Sequence, residues 1–498
     1  MKSNYYREQW QEIKNNVDPN RVKSLAQRIA SSFIDRHYYS DEYNRDHIYL
    51  LCEMATQFDD ESLNQIATNI LFGNVIERLC DDFEELQVET YNRLICQVTI
   101  FLCQKPEGRE IESELNSFHL RTEKQLYQRI ESIRLAPDHR IPGNIQPKKV
   151  IILSRVTIGA DVAITSVICQ RIRQHYPESQ LLIVGNNKLK QIFSEESNIQ
   201  VYELNYARRG GLVEKFQVWL NLLNEVRKLT ADLSPTEFLV LDPDSRLTQL
   251  GVLPLAPLQN YRFFNSRENQ NPSQRASMAQ LTNQWLDNIL DKVIFCYPKV
   301  WLNPSNLNKV KAFRAGIDPE NNKTFITMNL GVGGNERKRV PGKFEQELVI
   351  TLLRDPNTIV LLDLGMGEQE RQQSDSILKA ASRAGIETME TLFSQLGHNN
   401  TNAKLIGVEC AIGEVSALIS QSNEFIGYDS ACQHIAAAES IKTFTIFAGT
   451  NNVRFIRRWR ACGENTSEII YVDTLSKHGH IDNADIIATL MDFRAIDD

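Results

Sequence analysis

The spacing of apolar side chains changes character along the chain. In residues 1–145 they recur every three or four positions. IYLLCEMATQF, SLNQIATNILFGNVIERL and YNRLICQVTIFLCQ each lay a stripe along one helical face, and few Gly or Pro residues interrupt them. This spacing predicts an all-α unit over 1–145. APDHRIPGNIQPKK (136–149), rich in Pro and Gly, reads as a linker. From residue 149 the runs become short and unbroken: KVIIL, QLLIVG, IQVYEL and EFLVLDP. Runs that are apolar at every position belong to parallel strands buried on both faces. Helical segments between them imply a parallel sheet with helices on either side. A less regular stretch (243–300) ends in the apolar run KVIFCYP (292–298), and two prolines break WLNPSNLNKVKAFRAGIDPENNK. The alternation then restarts with TFITMNLG, TIVLLDLG, AKLIGV, EFIGYDS, KTFTIFAG and EIIYVD, and NADIIATLMDF closes it as a helix.

The expected organisation is therefore a helical unit (1–145) followed by two α/β units, 146–315 and 316–498. Ligands of open α/β sheets lie beyond the carboxyl ends of the strands. Two such units in tandem leave a cleft between them.

Composition narrows the class. The net charge of −8 disfavours a nucleic-acid binder or an anionic-membrane binder. No apolar run reaches the roughly 18 residues of a membrane span, so membrane contact is expected to be peripheral at most. The N-terminal MKSNYYREQWQEIKNN has no apolar core of a secretory signal. Nine scattered cysteines without a CxxC pair are expected to be reduced thiols of a cytoplasmic protein.

Chemistry-bearing residues gather where strands end. Asp161 follows Gly159-Ala160 and opens the helical VAITSVICQRI. A carboxylate there caps a helix or, facing a cleft, takes a proton from an attacking hydroxyl. One glycine does not make the three-glycine dinucleotide fingerprint, and Asp161 would repel a phosphate, so the diphosphate is expected elsewhere. In the second unit, Gly331, Gly333 and Gly334 precede Arg337-Lys338-Arg339 and a helix. That is either a solvated basic turn or an anion cradle. Glu368 and Glu370 follow a strand and two glycines, as ribose ligands or as first-turn helix acids. FIGYDSACQHIAAAE (425–439) ends a strand at Asp429-Ser430 and begins a helix of small residues carrying His434. Asp429 or Ser430 can cap that helix, whose free N–H groups favour a diphosphate, and a lone His434 is either a core residue or a site residue. Arg454, Arg457, Arg458 and Arg460 form a basic patch that is a solvated face or a phosphate grip. His478 and His480 lack further ligands, and no metal site is expected.

The phrase SRVTIGADVAITSVICQRIRQHYP resembles the opening of the heptosyltransferase family (glycosyltransferase family 9), which has Arg-x-Ser-x-Gly-Asp and a helix ending near Tyr-Pro; here Ala160 is inserted before Asp161. Lys338-Arg339-Val340-Pro341 is similar to the family's Lys-Arg-Trp-Pro. Asp429, Ser430, His434, Ala436, Ala437 and Ala438 are similar to its Asp-Ser-Gly-Pro-x-His-x-Ala-Ala-Ala, with Ala431-Cys432 in place of Gly-Pro. Phe447 to Thr450 echo its Phe-Gly-x-Thr. The resemblance covers about 149–475. It implies a GT-B architecture, two Rossmann-like domains facing a cleft, with the helical unit added in front. It implies inverting, metal-independent transfer of a heptose-like sugar from a nucleotide-diphospho-sugar to a hydroxyl acceptor, without a cofactor. Asp161 would be the base. Lys338, Arg339, Glu368, Glu370, Asp429, Ser430, His434 and Thr450 would hold the donor. The acceptor would be a glycan, a lipid-linked glycan or a protein, and residues 1–145 would take a protein partner. The competing readings are an inactive nucleotide-sugar or glycan binder and an interaction scaffold working through 1–145.

Overall fold

The computed structural model describes residues 3–80, 82–136, 140–206, 210–267, 275–365, 367–397, 402–476 and 481–496. The described residues between 3 and 134 are built mainly of helices, as their spacing predicts. Asp18, Asn44, Asp60 and Thr122 stand before the helices Pro19–Ser40, Arg45–Met54, Glu61–Ile70 and Glu123–Arg134, each accepting from a backbone N–H of the first turn. On Pro19–Ser40 the residues Val22, Leu25, Ala26, Ile29, Ala30 and Phe33 form the buried stripe. Helix Glu85–Cys103 is buried nearly all round, which makes it the centre of the unit.

The first sheet holds β1 (Lys149–Leu153), β2 (Gln180–Gly185), β3 (Ile199–Glu203), β4 (Phe238–Asp242) and β5 (Tyr261–Phe263) in the order β3-β2-β1-β4-β5. The second holds β6 (Thr324–Asn329), β7 (Thr358–Asp363), β8 (Thr388–Leu392), β9 (Leu405–Glu409), β10 (Glu424–Tyr428), β11 (Lys442–Phe447) and β12 (Ser467–Tyr471), in the order β12-β11-β10-β6-β7-β9-β8. Every neighbouring pair is parallel. The expected class, two parallel α/β units behind an all-α unit, is the observed one. The sequence runs did not reveal β5 or β8. β5 is three residues long with Arg262 at its centre, and β8 interleaves polar residues and is nowhere fully buried, so neither carries an unbroken apolar run.

Although apolar, KVIFCYP (292–298) forms no strand. Side chains of the helix Met278–Leu290 satisfy its backbone instead: Asn283 accepts from Cys296 N–H and donates to its carbonyl, both at 2.9 Å, and Asp287 accepts from Ile294 N–H at 3.1 Å. The boundary expected at 315/316 falls inside the helix Pro304–Ile317. That helix belongs by its contacts to the second unit, where Lys309 reaches the Ser394 carbonyl and Arg314 the Gln421 carbonyl.

The helical unit is fused to the first sheet. Ile151, Leu153, Leu182, Val184 and Val240 share one core with Phe33, Tyr91, Leu94 and the helix Leu212–Thr230. Arg129 donates to the carbonyls of Gly251 and Val252 at 2.8 and 3.2 Å, and Arg227 pairs with Glu114 at 2.5 Å. The opposite face of that sheet shares a core with residues of the second unit, among them Phe325, Ile406, Val415 and Ile435. No helix among the described residues is long and apolar enough to cross a membrane.

Candidate functional site

In the second sheet the connections run outward in opposite directions from β6 and β10, so the crevice lies beyond the carboxyl ends of this pair. Asn329 ends β6 and Tyr428 ends β10. Ser430 caps the helix Ala431–Ala438, accepting from Cys432 N–H, and its hydroxyl meets Asn329 Oδ1 at 3.4 Å. Lys338 arrives on the turn after β6, and its Nζ stands 2.6 Å from Asp429 Oδ2 and 3.3 Å from the Asp429 carbonyl. Gln433 donates to Asp429 Oδ1 at 2.7 Å. Gly449 makes this assembly close: a Cβ there would lie 2.7 Å from the Arg337 carbonyl oxygen and 2.9 Å from Lys338 N.

The structure thus brings Lys338, Asp429, Ser430 and His434 together. His434 is 5% exposed, and burial holds its imidazole down at about 4, with Lys338 adding to the depression and Asp429 opposing it. It is neutral at neutral pH and packs edge-on to Trp459 at 6.1 Å. Glu370 stands at the ends of β6 and β7. Cβ atoms built at Gly331 and Gly365 would come within 3.0 Å of its carboxylate oxygens. Glu368 opens the helix Glu368–Arg383, is exposed, and receives only a long hydrogen bond from Gln372. Thr450 accepts from Asn452 N–H at 3.1 Å. Gly333 and Gly334 have φ values of +60° and +78°, with open space where a Cβ would sit. The glycine-rich loop therefore needs glycine for its backbone and leaves room beside Lys338.

Arg339 is placed differently. Its side chain is 9% exposed and pairs with Glu345, itself 7% exposed, and with Glu336 at 3.3 Å. It braces the helix Phe344–Leu352 and does not face the crevice with Lys338. Three neighbours were missed by sequence reading: Asn329, Asp363 and Gln433. Asn329 donates to Asp363 Oδ2 at 2.7 Å, and burial pushes the Asp363 carboxyl up to about 6. The available signal was a polar residue closing an apolar strand, in TFITMN and TIVLLD.

Asp161 lies inside the first unit and is 1% exposed. Oδ2 accepts from Ser154 Oγ at 2.7 Å, and Oδ1 from Arg155 N–H at 2.9 Å and Thr165 Oγ1 at 2.7 Å. Burial pushes its carboxyl up to about 6 against these three donors. The reason is local. The helix begins at Ile158, three residues before Asp161, and Asp161 opens a π-helical turn, Asp161–Thr165. It therefore stands one turn into the helix and points at the strand end, neither capping the helix nor facing the second unit. The residue that does face the second unit is Gly159. A Cβ there would lie 3.1 Å from Ala431 Cα and 3.1 Å from His434 Cδ2, so the two carboxyl-end faces touch at this point.

The carboxylates of Asp242-Pro243-Asp244 are engaged elsewhere. Asp242 accepts from Thr248, Tyr261 and Ser245 N–H. Asp244 pairs with Arg155 at 3.3 Å and Arg267 at 3.0 Å. No cluster of three metal-ligating side chains occurs among the described residues, and His478 and His480 lie outside them. Two residues of the arginine patch turn to the helical unit: Arg454, partly exposed, pairs with Glu84, and Arg458 is 3% exposed beside Phe83.

Residues 370–476 match the family model of glycosyltransferase family 9 (heptosyltransferase). That segment holds Asp429, Ser430, His434 and Thr450, so the resemblance drawn from the motifs is borne out over it. No curated protein matches the chain. Among solved structures, a glycosyltransferase family 9 protein from Veillonella parvula is 14% identical, covering 69% of this chain and 90% of its own, with a TM-score of 0.47. E. coli heptosyltransferase WaaC with ADP is 12% identical, covering 69% and 99%, with a TM-score of 0.45. E. coli ADP-heptose lps heptosyltransferase II is 11% identical, covering 69% and 98%, with a TM-score of 0.43.

Proposed function

We propose that the protein is a glycosyltransferase that moves a sugar, heptose-like by its family resemblance, from a nucleotide-diphospho-sugar to a hydroxyl acceptor, inverting the anomeric carbon without a metal. The observation that carries the reading is the meeting of Lys338 and the capped helix Ala431–Ala438 at the β6/β10 crevice, within the unit that holds the family match. A cation and free helical N–H groups at one strand-end crevice suit a departing diphosphate. Asp429 now neutralises Lys338, and a donor phosphate would take over part of that role. Glu370, beside Gly331 and Gly365, would accept hydrogen bonds from ribose hydroxyls. In the transfer the acceptor oxygen bonds to the anomeric carbon, the bond from that carbon to the diphosphate oxygen breaks, and the acceptor proton passes to a base. The nucleoside diphosphate leaves. The acceptor would be a glycan, a lipid-linked glycan or a protein hydroxyl, approached from the first unit of a cytoplasmic enzyme.

Asp161 serves as that base only if the Gly159-Ala160 turn withdraws from Ala431 and turns the carboxylate outward. Its burial behind three donors favours a second reading, in which the chain binds the nucleotide sugar and transfers nothing. A panel of nucleotides and nucleotide sugars, read first by thermal stabilisation and then by hydrolysis and transfer, separates the two. Stabilisation with turnover supports the enzyme, stabilisation without turnover supports the binder, and no stabilisation by any compound removes both.

A further inference from the structure

Among the described residues, the turn Asp82–Glu84 of the helical unit meets the second α/β unit and is held by several side chains. Asp82 receives the hydroxyl of Tyr38 and, at 3.4 Å, the side-chain amide of Asn452. Phe83 adopts φ +53°, a conformation that a bulky side chain rarely takes, and is 2% exposed. Glu84 pairs with Arg454, which also donates to the Phe83 carbonyl at 3.4 Å. Glu85 pairs with Arg134, which is 1% exposed, at 2.5 Å. The Arg458 guanidinium lies 5.9 Å from the Phe83 ring centre.

Arg454 and Arg458 belong to the short helix Val453–Trp459. Two other residues of this helix meet the crevice. Phe455 lies under Lys338 Nζ at 5.9 Å, and Trp459 meets the His434 ring and accepts from Gln433 through its carbonyl. The helix therefore stands between the helical unit and the donor crevice, touching each with different residues. Asn452, which caps it, is itself bound by Asp82.

We infer that the Asp82–Glu84 turn is a positioning element for the donor site: Phe83 and Glu84 hold the helix Val453–Trp459, through Arg458 and Arg454, where Phe455 and Trp459 fix Lys338 and His434. The helical unit is then a third wall of the site and not an appendage for recruitment alone. The inference rests on the donor-binding reading above. An exposed ion pair such as Glu84–Arg454 is a weak tether by itself; Phe83, buried in a strained conformation, is the main hold, and Glu84 sets direction.

The test uses the full chain. Phe83→Ala, Glu84→Arg and the exchanged pair Glu84→Arg with Arg454→Glu are compared with the wild type. Glu114→Gln, which loosens the helical unit elsewhere, is the control. Amide hydrogen exchange over 450–460 and the affinity for a nucleotide diphosphate found by the panel are both read. The expected result is faster exchange over 450–460 and about tenfold weaker nucleotide binding in Phe83→Ala, a smaller loss in Glu84→Arg, recovery in the exchanged pair, and no change in Glu114→Gln. Unchanged exchange over 450–460, or faster exchange with unchanged affinity in a chain that does bind nucleotide, overturns the inference. A wild type that binds no nucleotide overturns the donor reading itself, and the inference falls with it.

Discussion

The turn after β1 and the turn after β10 each follow a strand of the central pair of its sheet, β1/β4 and β6/β10, yet they use their polar residues in opposite ways. After β1, the carboxylate of Asp161 faces inward and collects three hydrogen bonds from Ser154, Arg155 and Thr165. After β10, Asp429 and Ser430 face the crevice and engage Lys338, Gln433 and Asn329. The difference comes from where each helix starts. The helix after β10 starts one residue past Ser430, so Ser430 caps it. The helix after β1 starts before Asp161, which is carried round into the interior. Strand-end position alone therefore does not make a residue part of a site; helix phase decides it.

The sharpest way to break this contrast is Asp161→Asn. If the first turn opens to make Asp161 a base, turnover falls by about 10²–10⁴ while donor affinity stays. If Asp161 serves the fold alone, turnover changes by a few-fold at most, measured by initial rates with saturating donor. The pH dependence of folding gives an independent readout. Burial raises the folded carboxyl from 3.8 to about 6, so between those values the folded chain holds a proton that the unfolded chain has lost. Its contribution is complete below about pH 4 and disappears as pH rises through about 6. Asp161→Asn should flatten the slope of unfolding free energy over that window in urea titrations. Asp242 and Asp363, raised to about 6 as well, leave their own slopes of the same sign.

Arg339 and Lys338 sharpen the comparison within one turn, because adjacent cations there serve the interior and the crevice. Arg339→Met leaves Glu345 buried without its partner, and an unfolding loss of about 3–5 kcal/mol is expected, with nucleotide affinity unchanged. Lys338→Ala should do the reverse. Its side chain is 26% exposed, so stability changes little, while nucleotide-diphosphate affinity falls by about 1.5–3 kcal/mol, roughly 10- to 100-fold by titration calorimetry. Equal effects of the two substitutions on affinity would remove the distinction.

What the sequence revealed follows the same logic. Apolar runs located ten of the twelve described strands, the edge strands β3 and β12 among them, and the helical period located the first unit. β5 is three residues long with Arg262 at its centre, and β8 is nowhere fully buried, so neither leaves such a run. The motif around Asp429, Ser430 and His434 was legible because capping, strand end and small helix residues are all local. Arg339 was not separable from Lys338, because its partner Glu345 lies on the next helix and only the folded chain joins them. The patch at Arg454 and Arg458 reads from sequence as a solvated face or a phosphate grip because its carboxylate and aromatic partners, Glu84 and Phe83, lie some 370 positions away.

The smallest expected effect tests the place where the two regions touch. Gly159 sits in the first turn of a helix, where alanine is favoured over glycine by about 0.5–1 kcal/mol. Its added Cβ would stand 3.1 Å from Ala431 Cα and His434 Cδ2, closer than such contacts normally come. Gly159→Ala should therefore leave stability within about 0.5 kcal/mol of wild type, while pressing the two strand-end faces apart by a few tenths of an ångström. If the observed contact has to open before a diphosphate reaches the helix Ala431–Ala438, weakening it raises the fraction of chains ready to bind, and nucleotide affinity should improve about two- to fivefold. If the contact is kept in the bound state, the same Cβ costs affinity. The sign of a change this small, read by calorimetry beside the Lys338→Ala result, distinguishes a turn after β1 that is a movable cover over the turn after β10 from one that is a fixed part of its wall.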